Sequence, residues 1–228
     1  MLHGRSLRCE WTHDNRMRMK LHIHDDVKFF YGEKYMEKRR EVIREKLHDH
    51  RNVFCSMEND EELLRLIDIV AEKIISSLKN DGKVLLCGNG GSAADAQHIA
   101  AEFVGRFQRE RMAYDAEALT TNTSILTAIA NDYEFNMIFS RQVEAKGRAG
   151  DVLIGISTSG KSENVLKALE CAKKRQIITV MLMGDFNAGQ LVEYCDYIIK
   201  IPSKVTARIQ EGHIFIGHII SELVEMNL

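Results

Sequence analysis

Apolar positions along this chain follow two alternating periods. Residues 60–79, DEELLRLIDIVAEKIISSLK, bring Leu63, Leu64, Ile67, Val70, Ile74 and Leu78 to one face at helical spacing, and Asn80, Asp81 and Gly82 end the run. Short apolar runs and helical stretches then alternate. Strands are predicted at 83–88, 117–122, 151–157, 177–184 and 197–202, and helices over 92–107, from 123 to about 146, 162–175, 187–195 and 207–226. Strands that alternate with helices need right-handed crossovers, so they form a parallel sheet covered on both faces. The expected fold class is α/β: a doubly wound α-β-α sandwich around a five-stranded parallel sheet. Upstream, MEKRREVIREKL (36–47) places Val42, Ile43 and Leu47 on one side of a further helix. No repeat and no linker interrupts the pattern, which predicts one domain over 36–228 that includes an N-terminal helical arm.

Residues 1–35 follow neither period. They hold the single tryptophan, Trp11, with His3, His13, His22 and His24, and are expected to form a polar, poorly ordered extension rather than a metal site. A further expectation is that Met36 is the natural start and that YGEKYM carries translated leader sequence.

Charge narrows the function classes. Thirty-one Lys+Arg against 33 Asp+Glu give a net charge of −2, which makes no case for nucleic acid or a membrane surface as partner. No apolar run approaches the roughly 18 residues of a membrane span, and residues 1–20 are too charged for a signal-peptide core. Five cysteines without C-x-x-C spacing read as reduced thiols in a cytoplasmic protein.

In doubly wound sheets, ligands bind beyond the carboxyl ends of the strands, which directs attention to loops 88–92, 122–132 and 157–162. The first, GNGGS, offers Gly88, Gly90 and Gly91 for close approach to a ligand, and Ser92 where a helix cap would sit. The third, STSGKS, sets Ser157, Thr158, Ser159 and Ser162 before a helix N-terminus, which attracts anions. Gly155, Gly160, Lys161 and Ser162 also satisfy the nucleotide-binding pattern G-x-x-x-x-G-K-[ST]. The apolar strand ending in a magnesium-ordering Asp is missing, because Gly184 interrupts TVMLMGD before Asp185. A small phosphorylated ligand suits the two loops better than a nucleoside triphosphate.

Two helices carry further candidates. His98 and Glu102 lie four apart on one face beside the glycine loop, a spacing shared by metal ligands and ordinary surface pairs. On the last helix Gln210, His213 and His218 are candidates that spacing alone does not separate.

CGNGGSAADAQHIAAEFVGRF, AIAND, GDVLIGISTSGKSENVLKAL and ARIQEGHIFIGHII together resemble the phosphosugar-isomerase (SIS) domain and, within it, the phosphoheptose isomerases. The resemblance runs from about Glu37 to Leu228 and implies a flavodoxin-like strand order. It implies substrate contacts at Asn89, Gly90, Gly91, Ser92, Glu102, Asn131, Asp132, Ser157, Thr158, Ser159, Ser162 and Gln210, with Lys161 at a variable position. A metal site, usually zinc, matches His98, Glu102, Gln210 and His218. An amide oxygen is a weak zinc ligand, so either the metal is loosely held or Gln210 serves the substrate. The implied reaction converts sedoheptulose 7-phosphate to D-glycero-D-manno-heptose 7-phosphate through an enediol, at the start of bacterial nucleotide-activated heptose synthesis for lipopolysaccharide or capsule. Glu102 and His218 are the implied catalytic pair, and His213 a supporting residue. The family also implies a homotetramer with shared active sites. The alternative is a non-catalytic SIS module that binds sugar phosphates or a replication initiator; the presence of both Glu102 and His218 favours the enzyme.

Overall fold

Five parallel strands form one sheet. In chain order they are β1 (Val84–Gly88), β2 (Ala116–Ala118), β3 (Val152–Ile156), β4 (Ile178–Gly184) and β5 (Tyr197–Ile201), arranged β2-β1-β3-β4-β5. This is the expected flavodoxin-like order. Val84 pairs with Val152, Val152 with Ile178 and Val180 with Tyr197, so apolar positions stack across the sheet. The computed structural model describes residues 33–228; residues 1–32, with most of the expected extension, Trp11 and the four histidines, lie outside the described residues.

The helices are α1 (Glu33–Glu58), α2 (Glu61–Lys79), α3 (Gly91–Val104), α4 (Thr123–Asp132), α5 (Ser140–Lys146), α6 (Glu163–Lys174), α7 (Leu191–Tyr194) and α8 (Thr206–Asn227). A 3-10 turn, Phe135–Met137, links α4 to α5. The chain divides into two compact units, Met1–His48 and Asp49–Leu228, with the boundary inside α1. In the first unit, the described part of α1 exposes Val42, Ile43 and Leu47.

Strand side chains alternate between two cores, as a period of two requires. Val84, Leu86, Val152, Ile154, Ile156, Val180 and Leu182 face one layer, where Ile67, Val70 and Ile74 of α2, Ile99 and Phe103 of α3, and Ile216 and Ile220 of α8 cover them. Leu85, Cys87, Leu153, Met181 and Met183 face the other, against Phe139 just before α5, Val143 of α5 and Val165, Ala168 and Leu169 of α6. The chain leaves β1 toward β2 and returns to β3 on β1's other side. That reversal opens a crevice at the carboxyl ends of β1 and β3.

Several elements are shorter than the periodicity predicts. The 117–122 strand stops at Ala118, and the text after it splits into α4, the 3-10 turn and α5. The 92–107 helix ends at Val104, with Gly105 as its C-cap. The 187–195 helix contracts to α7, because Gly189 turns the chain at φ +53°. Among the described residues, no helix is long and apolar enough to cross a membrane.

Candidate active site

The crevice between β1 and β3 is lined by the two expected loops. Gly90 adopts φ +55° as the N-cap of α3, in the region that favours glycine. A Cβ at Gly88 would meet the Ser92 backbone at 2.7 Å, so that position admits no side chain; one at Gly91 would displace the Gln210 amide, which lies against it. Ser92 is not the cap; it is buried as the second residue of the helix, because Gly90 takes the cap position before it. Ser162 is the N-cap of α6, yet its hydroxyl bonds Ser157 Oγ at 2.9 Å instead of capping the helix. By contrast, Asp60 caps α2 and Asn122 caps α4 with their side chains. Neither α3 nor α6 is thus capped by the side chain of its N-cap residue, which suits an anion at the helix start.

Asn89 joins the loops by pairing its amide with that of Asn164. Beside this pair, Glu134, Phe135 and Asn136 enclose a cleft of about 480 Å³ together with Ser162 and Glu163. Asn131 and Asp132 end α4 just before that segment; the Asn131 amide donates to Asp132 at 2.9 Å, and both residues are exposed. Ser159 Oγ accepts the Lys161 N–H at 3.2 Å, and Thr158 C=O accepts from Gly184 at 3.0 Å, which shapes the hydroxyl turn through Gly160 at φ +68°. The Lys161 side chain is exposed.

His98, Glu102 and His218 converge. His98 Nε2 lies 3.2 Å from Glu102 Oε1 and 2.9 Å from His218 Nε2, and the ligand atoms of all three lie within 4.8 Å of one another. At this separation one ring nitrogen can donate to the other, in the direction the tautomers set. The three residues could also hold a metal ion. Zinc bonds of about 2.1 Å would set tetrahedral ligands roughly 3.4 Å apart, close to the spacing here, and a His–His–carboxylate set matches known catalytic zinc sites. Glu102 is partly buried and His98 half exposed, which leaves an open side for substrate. The Gln210 amide lies against Gly91, at the start of α3, and Gln210 precedes His218 on α8 by eight residues.

The structure separates the two histidines of α8. His213 is fully buried, and neither of its ring nitrogens makes a well-formed hydrogen bond. Burial pushes its imidazole down to about 4, although the nearby Met183 backbone opposes this. One turn before His98, burial pushes the Asp95 carboxyl up to about 6, against the pull of His98.

The SIS-domain family matches residues 51–184. The phosphoheptose isomerase of Aneurinibacillus thermoaerophilus is 56% identical over 185 residues, which span 81% of this chain and 93% of that protein. The chain belongs to the phosphoheptose isomerase family. Solved phosphoheptose isomerases agree in fold: the Neisseria gonorrhoeae protein is 43% identical with a TM-score of 0.76, and the Francisella tularensis protein 34% identical with 0.78, each covering 82% of this chain and 98% of its own.

Within this phosphoheptose isomerase fold, sequence reasoning missed Asn164 and the Glu134–Asn136 segment. Asn164 directly follows Ser162 and Glu163 at the start of α6, so its place beside the hydroxyl loop was the available signal. It also missed Phe107, whose ring stacks on His218 with centroids 5.6 Å apart.

Proposed function

We propose that this phosphoheptose isomerase converts sedoheptulose 7-phosphate to D-glycero-D-manno-heptose 7-phosphate. The observation that carries the reading is the convergence of His98, Glu102 and His218 near the two anion-seeking loops. His98 follows Gly91 by seven residues, about 10 Å along α3, a distance that an extended sugar phosphate spans. The phosphate would sit among Ser157, Thr158, Ser159 and Ser162 and the N–H groups of α6, with Asn89, Gly90, Gly91, Ser92, Asn131, Asp132 and Gln210 placing the sugar chain. Binding at that remote end supplies the energy that orients the reacting carbons.

Glu102 would remove a proton from C1 of the ketose, and the resulting enediol would take a proton at C2. His218 would pass protons between the two oxygens. Zinc held by His98, Glu102 and His218, with Gln210 as a weaker candidate, would polarise the hydroxyl–carbonyl pair when bound.

Further parts of the reading are proposals of the same standing. Residues 36–228 would form the functional unit. A homotetramer is supported by α4, which has no buried residue, and by α8, where Phe215 is exposed while Ile214, Ile219 and Leu223 are only partly buried. A cytoplasmic location fits the unpaired Cys55, Cys87, Cys171 and Cys195. The product would feed lipopolysaccharide or capsule.

Turnover of sedoheptulose 7-phosphate, with and without added zinc, tests the reading. Activity that zinc restores after chelation is expected; no turnover under either condition would refute it.

A further inference from the structure

Glu225, near the end of α8, is buried and gathers four donors. Its Oε1 accepts the Phe107 N–H at 3.0 Å and Arg111 Nε at 3.1 Å; its Oε2 accepts the Gln108 N–H at 2.7 Å and the Arg109 N–H at 2.9 Å. These four bonds hold the loop that follows α3, and the loop in turn reaches both groups of the reaction centre.

On one side, Arg111 spreads its guanidinium over the last carbonyls of α3. Nη2 donates to the Glu102 carbonyl at 2.7 Å and Nη1 to the Phe103 carbonyl at 2.9 Å. A helix's last carbonyls have no partners of their own, so such a cation anchors the terminal turn. That turn carries Glu102. Tyr114 backs the guanidinium at 3.8 Å, and the Arg111 and Glu225 side chains are both nearly buried, so the anchor is shielded from water.

On the other side, the loop returns the Phe107 ring to His218. The two rings lie 29° from parallel, while His98 meets His218 edge-on at 66°. The imidazole is thus bounded by a ring on one side and its nitrogen partner on the other. Glu225 and His218 lie seven residues apart on the same helix, so α8 holds the loop at one point and receives its aromatic ring two turns earlier.

We propose that Glu225, Arg111 and Phe107 are positioning residues that hold Glu102 and His218 in mutual register for proton transfer and metal capture. The proposal rests on the isomerase reading for its kinetic part only. Phe107 is the residue to change, because its ring lies in a loop rather than a core. Phe107→Leu keeps apolar bulk and removes the flat ring; Phe107→Tyr restores the ring.

Phe107→Leu should lower kcat about tenfold with KM within about twofold, and should weaken zinc binding, read by chelator competition, by about tenfold, the lower range for groups that support metal ligands. Phe107→Tyr should recover both. Glu225→Gln should reproduce the kcat loss and the weaker zinc binding, because its amide NH2 would face backbone N–H donors and release the loop. Folded Phe107→Leu with wild-type zinc affinity would overturn the proposal, as would losses that Phe107→Tyr does not repair. If the wild-type protein turned over no sedoheptulose 7-phosphate, the reaction assignment would fall, while the zinc affinities would still decide the positioning role.

Discussion

Asn89 and Asn164 exchange two side-chain amide hydrogen bonds of 2.8 Å each across the crevice between β1 and β3. Asn164 is buried, and its Oδ1 also accepts the Val165 N–H at 3.0 Å, which fixes the orientation of the amide. The pair joins the glycine turn to the first turn of α6. Asn164→Ala leaves the Asn89 amide unmatched and lets the two turns proposed to bind the phosphate drift apart. Stability should fall by about 1 kcal/mol, the scale of a hydrogen bond lost from a partly buried amide. KM for the sugar phosphate should rise more than kcat falls. Steady-state kinetics and urea unfolding check both; an unchanged KM would mean that the turns hold their places without the amide pair.

Lys161 should be dispensable. Its side chain is exposed, while the hydroxyls of Ser157 and Ser162 point at each other across the turn at 2.9 Å. Lys161→Ala should change sugar-phosphate affinity by at most about fivefold, the scale of an exposed charge. Ser162→Ala, which would remove the proposed hydrogen bond to the phosphate, should weaken it roughly 10- to 100-fold, and Ser159→Ala should also weaken it. Affinity measured by calorimetry separates the cases. ATP hydrolysis that vanishes in Lys161→Ala would reverse the assignment of this loop.

Most of the sheet was legible because its signal is local: β1, β3, β4 and β5 are short apolar runs, and the glycines and hydroxyls of the two loops follow β1 and β3 directly; β2, with Glu117 at its centre, carries no such run and overlaps the expected 117–122 strand only at Glu117 and Ala118. The His98–Glu102 pair was legible for the same reason, through helical spacing. What stayed hidden depends on distant contacts. Glu225 reads as one more polar residue near the end of an apolar helix, and its four donors lie 114 to 118 positions away. Spacing could not separate His213 from His218 either; only packing buries the first and brings the second to His98. Ser92 was misread as a cap because a serine after glycines has that signature, whereas Gly90 occupies the cap and leaves Ser92 to the interior.

His213 should make the fold acid-sensitive. Its folded pKa of about 4 lies below the ordinary 6.5, so the unfolded chain binds the proton more readily. The penalty is absent above pH 6.5 and grows as pH falls toward 4, reaching about 3 kcal/mol by linkage. Asp95, raised to about 6, works in the opposite direction over part of this range, but it does so in wild type and variant alike. Glu225 and Asp196 are held below their ordinary values of 4.5 and 3.8 although burial opposes this: backbone N–H bonds and Arg111 do so for Glu225, and Lys173 and Thr179 for Asp196. Their contributions are therefore lost only at lower pH. His213→Leu should gain stability relative to wild type by about 3 kcal/mol between pH 7 and pH 4. Urea unfolding at several pH values measures the gap; a gap that does not vary with pH would rule out His213 as the source.

Glu102 should be the base. It sits on the same face of α3 as His98, its Oε1 is 3.2 Å from His98 Nε2, and its side chain is mostly buried next to an open, half-exposed imidazole. No other carboxylate joins the two histidines in the cluster among the described residues. Glu102→Gln keeps the shape and removes the proton acceptor, so turnover should drop by a factor on the order of 10²–10⁴. Sugar-phosphate binding should survive, because the hydroxyl turn and the α6 N-terminus are untouched. His218→Asn should stop turnover as well while sugar-phosphate binding persists. Exchange of deuterium into C1 of the ketose isolates the step: it needs proton removal but not completion of the reaction. Glu102→Gln should abolish that exchange. His218→Asn should retain part of it, since the carboxylate that removes the proton is still present. Exchange at the wild-type rate in Glu102→Gln would assign the base elsewhere and make Glu102 a ligand only.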